Sequence, residues 1–281
     1  ELGDLPLALH LAGSYLKLNL YDLSPDDYLT ELRSAAVLEH PSLEGQDLTV
    51  SPTNHRLHVG RTFALSYDQL DPQKPADALA LKLLARAACL APGEPIPRDL
   101  LKETAAEDLS ARQFGQALRR LVGLGLVESI DNGALRMHRL ISAFVAETVA
   151  DNQAFLDAEQ VLLRRLRQIN HDGYPLRAAP IQAHLRHVAD RALARSDEPA
   201  AALCNALGYL LRAQGYLAGA RPYYERALAM REQALGAEHP DTALSLNHLG
   251  TLLQAQGDLA AARPYEERAR AIRGQALGHN N

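Results

Sequence analysis

The sequence contains few of the side chains that mark several large protein classes. Among its 281 residues it has no tryptophan and only four phenylalanines, which argues against a β-sandwich rich in aromatic residues. Its two cysteines, Cys89 and Cys204, lie far apart and match no metal-ligand spacing, so we expect two buried thiols in a reducing compartment. No apolar run approaches the roughly 20 residues that a membrane-spanning helix needs, and no signal peptide begins the chain. These absences predict a cytoplasmic protein that makes no contact with a membrane.

Positive charge is scarce as well. The chain has 29 basic and 34 acidic residues, which gives a net charge of -5, and the basic residues are dispersed. Binding to nucleic acid through bulk charge is therefore not expected. The hydrophobic fraction of 47% is ordinary for a globular protein, and alanine and leucine are abundant, which favours helices. The length suits about two domains, and the opening residues already resemble a helix start without methionine, so we expect a piece of a longer protein.

Two segments near the C-terminus match each other at a shift of 42 residues, which indicates an internal repeat. The matching pairs include Gly208/Gly250, Gln214/Gln256, Gly215/Gly257, Ala220/Ala262, Pro222/Pro264, Ala227/Ala269 and Leu235/Leu277. Each unit is predicted to be a pair of helices. In the second unit the first helix is expected to end at Gly257 and the second to begin near Asp258, while Pro240 fits the first turn of the opening helix. Pro222 and Pro264 are expected inside or near the first turn of the second helices.

These units, about residues 199–278, resemble tetratricopeptide repeats of the long, kinesin-light-chain-like kind. The resemblance implies an α-solenoid whose inner groove binds protein segments. Asn205 and Asn247 recur at one position of the first helices, and Arg212 and Gln254 follow seven residues later on the same face, so we expect these four side chains to bind a protein or peptide partner. The alternative is that they form hydrogen bonds within the solenoid. Since about three repeats are usually needed for stability, further repeats are expected in the parent protein.

Residues 76–150 carry a different pattern. Helices are predicted over 78–90, 98–104, 111–121 (capped by Ser110) and 140–150. Between the last two, Asn132-Gly133 separates the apolar runs 126–130 and 135–137, which is a strong signal for a β-hairpin. Three helices followed by a hairpin are the layout of a winged helix.

A winged helix raises the possibility of DNA binding. The candidate recognition helix carries Arg112, Arg119 and Arg120, but the hairpin tip is acidic, with Glu128 and Asp131. Because base readout favours exposed Arg, Lys, Asn or Gln, this segment fits a structural or regulatory role better. A transcriptional regulator that reads DNA through this domain remains the rival hypothesis.

The run Met137-His138-Arg139-Leu140 resembles the Met-His-Asp motif that closes the winged helix of bacterial NB-ARC (STAND-class) nucleotide switches. The resemblance implies that His138 contacts the β-phosphate of bound ADP, and an imidazole N–H can donate to a phosphate. The alternative is a partly buried histidine that only satisfies a backbone carbonyl.

The opening run "LGDLPLALHLAG" resembles the Gly-Leu-Pro-Leu-Ala motif of the same family, although Asp4 replaces its glycine. The resemblance places Pro6 near the adenine. Pro6 is otherwise an ordinary first-turn proline of a helix that runs to about Leu18. Helices over 25–38 and about 54–70 complete the helical segment, 1–72, that precedes the winged helix in this family.

A nucleotide switch needs a phosphate-binding loop in which Gly-Lys-Ser/Thr cradles phosphate and magnesium. The four lysines, Lys17, Lys74, Lys82 and Lys102, lie in no such loop. We therefore expect no catalysis by these residues. ADP or ATP would be the cofactor of the parent protein, with a separate N-terminal nucleotide-binding domain as partner, and this chain alone should not hold it tightly.

Other chemistry is not indicated. His55/His58 and His184/His187 have the i, i+3 spacing of one helix face, but no third ligand completes a metal site. Residues 151–198 connect the winged helix to the repeats through a basic amphipathic helix, 155–169, a turn at 172–175 and a helix over 181–194. A basic helix can contact membrane or RNA, but a connecting helix is the commoner interpretation. This connector is also consistent with a degenerate helical pair that leads into the solenoid.

The combined hypothesis is a mainly α-helical chain made of a helical bundle segment, a winged helix with a small β-hairpin and an α-solenoid over 199–281. Its expected function is signal transduction, as the lid side of an ADP pocket joined to protein-binding repeats. A plain repeat scaffold is the third hypothesis.

Overall fold

A computed structural model of the protein describes residues 6–18, 24–27, 55–105, 108–130, 133–149, 151–195 and 197–278. These residues are mainly helical and divide into two compact units, residues 1–158 and 159–281. No helix in the described ranges is both long and apolar enough to cross a membrane.

The first unit contains helices and one small hairpin. Its elements are α1 (Pro6–Leu18), α2 (His55–Asp68), α3 (Pro75–Ala88), α4 (Arg98–Ala105), α5 (Ala111–Gly123), β1 (Glu128–Ser129), β2 (Leu135–Arg136) and α6 (Arg139–Thr148). Of the helix expected over 25–38, only Pro25 to Asp27 fall within the described residues, and these are helical. The other helices of this unit are confirmed to within a few residues.

The predicted start of α5 is confirmed in detail. The Ser110 hydroxyl accepts a hydrogen bond from the Gln113 backbone N–H, and the Gln113 side chain accepts one from the Ser110 N–H in return. This capping box satisfies two backbone donors that a helix start otherwise leaves free. Beyond it, Phe114, Leu118 and Leu121 are buried at helical spacing and face the core of the unit.

The hairpin is present but shorter than the sequence predicts. Its two strands are antiparallel, with Glu128 opposite Arg136 and Ser129 opposite Leu135. Ile96, between α3 and α4, forms an antiparallel bridge with Leu135 and so adds a third extended segment. Gly133 has a φ of +74°, as a tight turn requires, while Asp131 and Asn132 lie outside the described residues.

The second unit is built from successive helix pairs. Its elements are α7 (Asn152–Asp172), which begins in the first unit, a 3₁₀ helix (Pro175–Ile181), α8 (Gln182–Ala192), α9 (Glu198–Ala213), α10 (Leu217–Leu235), α11 (Pro240–Ala255) and α12 (Leu259–Gly278). The helix over 155–169 is confirmed and longer at both ends, and the helix expected over 181–194 is α-helical from Gln182 to Ala192, with Ile181 as the last residue of the 3₁₀ helix.

The predicted boundaries of the repeats are confirmed. Gly257 follows α11 with a φ of +85°, and the Asp258 side chain accepts a hydrogen bond of 3.0 Å from the Ala261 N–H at the start of α12. Pro240 is the first residue of α11. Pro222 and Pro264 lie deeper than the first turn, since each is the sixth residue of its helix.

A glycine allows the two helices of the first matched pair to approach closely. A Cβ atom on Gly208 of α9 would lie 2.9 Å from the Tyr224 ring of α10, which is fully buried. At the equivalent Gly250 a Cβ would lie 2.9 Å from the Glu266 Cγ, which belongs to a flexible, half-buried side chain. The same substitution therefore meets a rigid neighbour in one repeat and a movable one in the next.

We expect Gly208→Ala to lower the free energy of unfolding by about 1–3 kcal/mol, because the Tyr224 ring has no room to move. Gly250→Ala, the matched control, should change it by less than about 1 kcal/mol, because Glu266 can shift and alanine favours the helix. Urea unfolding of both variants measures the difference. Equal losses in the two variants would show that the Tyr224 contact does not limit the approach of the helices.

Candidate functional site

The first unit has a cleft of about 350 Å³ beside the hairpin. It is lined by residues of α1, the turn after α5, the hairpin and the start of α6: His10, Gly125, Leu126, Glu128, Arg136, His138 and Ile141. The alternation of side chains along an extended segment explains two of them. Leu135 and Met137 are buried, whereas Arg136 and His138 are exposed on the opposite side. The cleft therefore receives the polar side of the run that carries the Met-His motif.

His138 is the N-cap of α6. Its Nδ1 accepts a hydrogen bond of 3.2 Å from the Leu140 backbone N–H, so the proton of a neutral ring is on Nε2. Burial and the nearby Arg139 lower the pKa of His138, and Glu128 opposes this. The His138 ring therefore accepts a hydrogen bond from the backbone at the start of a helix, whereas the alternative interpretation expected it to donate to a carbonyl. In the neutral ring, Nε2–H is the remaining donor.

A glycine brings α1 to this cleft. Gly125 has a φ of +72°, and a Cβ there would lie 2.8 Å from the Ser14 hydroxyl oxygen of α1. Pro6 is the first residue of α1, as predicted, and its side chain lies outside the described residues. The cleft is instead lined by His10, one turn further along the helix. Sequence analysis did not single out His10, although the i, i+4 spacing from Pro6 places both on one face of the helix.

The charges of the cleft are few and opposed. The Arg136 side chain forms no hydrogen bond or ion pair with any residue in the described parts of the chain, and Glu128 lies opposite it in the ladder. Within the described ranges no group of histidine, cysteine or acidic side chains is arranged to hold a metal ion. The cleft can therefore offer donors to an anion, from one guanidinium and one or two imidazoles.

The second unit has a cavity of about 320 Å³ in the groove between the first helices of its pairs. Most of its lining comes from α7, α9 and α11: Arg167, Asn170, His171, Ala202, Asn205, Ala206, Tyr209, Leu244 and His248, with Arg231 from α10. Of the four side chains that we expected to bind a partner, Asn205 alone lines this cavity.

Asn205 forms a hydrogen bond within the solenoid, as the alternative interpretation predicts. It is 4% exposed, and its amide nitrogen donates a hydrogen bond of 2.7 Å to the Ser245 hydroxyl of α11. Asn247 is half-buried, and its amide oxygen lies 3.4 Å from an Arg273 nitrogen. The contact of both asparagines with a partner stays a prediction.

Arg212 and Gln254 lie outside this cavity. The Arg212 guanidinium is 5.2 Å above the centre of the Tyr209 ring and is half-buried, while Gln254 is exposed. Arg212 can therefore pack as a flat cation on an aromatic face, which the helical spacing alone does not indicate. Contact of this pair with a partner also stays a prediction.

A buried arginine joins three helices at the cavity. Arg231 is 5% exposed and donates to the Glu198 carboxylate at 2.8 and 3.2 Å, to the Asp241 carbonyl at 2.9 Å and to the Ser245 hydroxyl at 3.2 Å. These bonds link α10 to α9 and α11. Sequence analysis missed this residue, although Arg231 and Arg273 are a matching pair at the 42-residue shift.

His248 is packed among aromatic rings beside Arg231. Its ring centre lies 5.4 Å from that of Tyr224 and 6.5 Å from that of Tyr209, and its Nδ1 is 3.4 Å from the Asn205 amide oxygen. Burial, with Arg231 and Arg212 nearby, lowers the pKa of His248 to about 4. The ring is therefore neutral at pH 7 and contributes no charge to the groove.

Several sequence predictions concern side chains outside both cavities. Arg120, considered for DNA recognition, donates at 2.6 Å to the buried Asp77 carboxylate and at 2.9 Å to the Gln69 carbonyl, so its guanidinium is paired within the first unit. Arg112 and Arg119 remain exposed on α5. This leaves the candidate recognition helix with two of its three arginines on the surface.

Both cysteines are buried, as expected, and burial raises the pKa of the Cys204 thiol to about 12. His184 is buried and His187 half-buried on α8, and the side chains of His55 and His58 lie outside the description. Neither cysteine has the exposure that a reactive thiol requires.

Comparison with known protein families gives a match within the second unit. The tetratricopeptide repeat family model matches residues 198–275. No curated protein matches the chain. The predicted repeats are therefore confirmed, and solenoids of this kind present concave surfaces to protein partners.

We expect the second unit to lose stability on acidification through His248. Because the folded state holds its pKa near 4 instead of about 6.5, the unfolded chain binds the proton first as the pH falls below about 6.5. The loss between pH 6.5 and pH 4 should be about 3 kcal/mol. Urea unfolding at several pH values, with His248→Gln as control, isolates this contribution. The same pH dependence in both proteins would contradict the assignment.

Proposed function

We propose that the chain is the regulatory part of a signalling switch of the NB-ARC (STAND) class. Its first unit supplies the lid side of an ADP pocket, and its second unit binds a protein partner in the groove of the repeats. One observation carries the proposal: His10 of α1 and His138 before α6 are far apart in the sequence but line one cleft. The two segments that resemble motifs of this class therefore contribute to a single site.

The fold of the first unit supports a winged helix next to that site. Helices α3, α4 and α5 precede the hairpin, and Ile96 bridges to Leu135 as a third extended segment. Three helices and a three-segment sheet are the parts that a winged helix needs. The winged helix would hold His138 at the junction between sheet and helix.

The lining of the cleft fits one side of a nucleotide phosphate. The Arg136 guanidinium can donate two hydrogen bonds to phosphate oxygens, and His138 can donate one from Nε2. Glu128 opposes an anion by like charge, so these residues are suited to moderate rather than tight binding. The phosphate-binding loop would come from a nucleotide-binding domain outside these 281 residues. ADP, when bound, would supply the negatively charged phosphate to which Arg136 and His138 donate.

The proposed regulation couples the two units. With ADP in place, the donors of the cleft hold the first unit closed against the nucleotide-binding domain. A partner that binds the repeats more tightly when the lid is open would shift the population toward the open state. The chain's own residues bind and orient the nucleotide in this scheme, and hydrolysis is not assigned to them.

The test uses the natural gene product that contains these residues together with a nucleotide-binding domain. After purification the protein is denatured, and the released nucleotide is identified by chromatography. We expect about one ADP per chain. We expect His138→Asn to reduce the affinity for ADP by about tenfold or more, because asparagine retains the helix cap but its shorter side chain does not reach the position from which Nε2–H donates to the phosphate.

His239 provides a matched control. It caps α11 in the same way, with its Nδ1 accepting from the Asp241 N–H at 3.2 Å, but it does not line the cleft. His239→Asn should leave the ADP content unchanged. A protein without nucleotide, or equal retention in the two variants, would favour a repeat scaffold with no nucleotide role.

A further inference from the structure

The 42-residue spacing of the repeats continues N-terminal to the family match. Gly173, Gly215 and Gly257 are spaced by 42 residues, and each follows the first helix of a pair with a φ of +73°, +84° and +85°, respectively. Pro180 also precedes Pro222 by 42 residues, in the second helical segment of its pair. The segment from α7 to α8 therefore ends and begins its helices in the register of the two matched repeats.

The buried positions of the second helices follow the same register. Three sets of equivalent residues are at most 1% exposed: Ala178, Ala220 and Ala262; Leu185, Ala227 and Ala269; Val188, Met230 and Ile272. Equivalent depth at the 42-residue spacing means that the segment from the 3₁₀ helix to α8 buries the same face that α10 and α12 bury.

Contacts between successive pairs recur as well. Arg226 of α10 donates to the Leu193 carbonyl after α8 at 2.6 Å. One repeat later, Arg268 of α12 donates at 3.2 Å to the Ala237 carbonyl, which follows α10. The donors are equivalent at the 42-residue spacing, and in both cases the acceptor follows the second helix of the preceding pair, although Ala237 lies two residues beyond the equivalent of Leu193.

The α7 sequence explains why the family match begins only at residue 198. Arg165 stands where the matched repeats have Leu207 and Leu249, and Arg167 stands where they have Tyr209 and Thr251. The helix keeps the geometry of a repeat while its side chains depart from the pattern. Of these two arginines, Arg167 lines the cavity in the groove.

We infer that α7 and α8 form the first repeat of the stack, and that the groove which begins at α7 binds an acidic, extended segment of a partner protein. The inference rests on the protein-binding half of the proposed function and adds to it the class of ligand. Three pairs also reach the number of repeats that such solenoids usually need for stability.

The charges of the cavity lining favour an acidic ligand. Arg167 and His171, four residues apart on α7, are exposed and line the cavity, and neither forms an ion pair or hydrogen bond within the described residues. No carboxylate lines the cavity, and the charge of Arg231 is already paired with Glu198. An acidic side chain would therefore find an unpaired guanidinium in the groove.

The rest of the lining is apolar or uncharged. Ala202, Ala206 and Tyr209 of α9 and the half-exposed Leu244 of α11 lie beside the arginine. A volume of about 320 Å³ admits only a few side chains at a time. A segment with acidic residues next to small apolar ones matches this surface.

The experiment selects peptides from a random twelve-residue phage library on the full 281-residue chain. We expect the selected peptides to contain at least twice the Asp and Glu content of the unselected library. Fluorescence anisotropy with the best peptide should then show that Arg167→Glu weakens binding by about tenfold or more, and that salt weakens binding to the unchanged protein.

Arg186→Glu is the matched control, since it makes the same change of charge at an exposed position of α8 outside the cavity. Binding should remain within about twofold of the unchanged protein, because screening reduces the effect of a distant charge. Selected peptides without acidic enrichment, or equal effects of the two substitutions, would overturn the inference and leave the protein-binding role intact. A selection that enriches no peptide would overturn both.

Discussion

Close approach of helices through small side chains holds this structure together. The sequence has few aromatic residues with which to fill the space between helices, so alanine and glycine bring the backbones near one another instead. Ala178, Ala220 and Ala262 are buried at equivalent points of successive pairs, and Gly208 lies under the Tyr224 ring. Because dispersion falls off steeply with distance, contacts between small residues stabilise a fold only where helices are close. The two matched repeats therefore share small residues at Gly208/Gly250, Ala220/Ala262 and Ala227/Ala269.

Buried, paired arginines determine which helices pack together, which contacts between small residues do not specify by themselves. In the first unit, Arg86 is 3% exposed, donates to the Thr104 carbonyl at 2.6 Å and pairs with Asp157 at the start of α7. In the second unit, Arg231 links α9, α10 and α11. Such groups are expensive to bury and more expensive to leave unpaired, so they disfavour any arrangement of helices that separates them from their partners.

The sequence predicted those features that depend on nearby residues. The Ser110–Gln113 cap, the glycine after α11 and the repeat itself are local or periodic signals, and the structure contains all three. Features that depend on contacts between residues far apart in the sequence could not be predicted from it. The helical period placed Asn205 on a face but could not say that Ser245 would pair with it, and nothing local placed His10 beside His138. The α7–α8 repeat retained its glycine and proline, but its arginines removed the apolar pattern by which a repeat is recognised.

The two matched repeats differ at the positions of Tyr209 and Tyr224. Tyr209 and Tyr224 of the middle pair pack against His248 of the next, whereas the equivalent residues of the last pair are Thr251 and Glu266. The apolar part of the groove lies over α9 and α11, and the unpaired Arg167 guanidinium lies on α7. A ligand that satisfies both must carry its acidic residues at the α7 end, so the groove would favour one direction of the bound chain over the other.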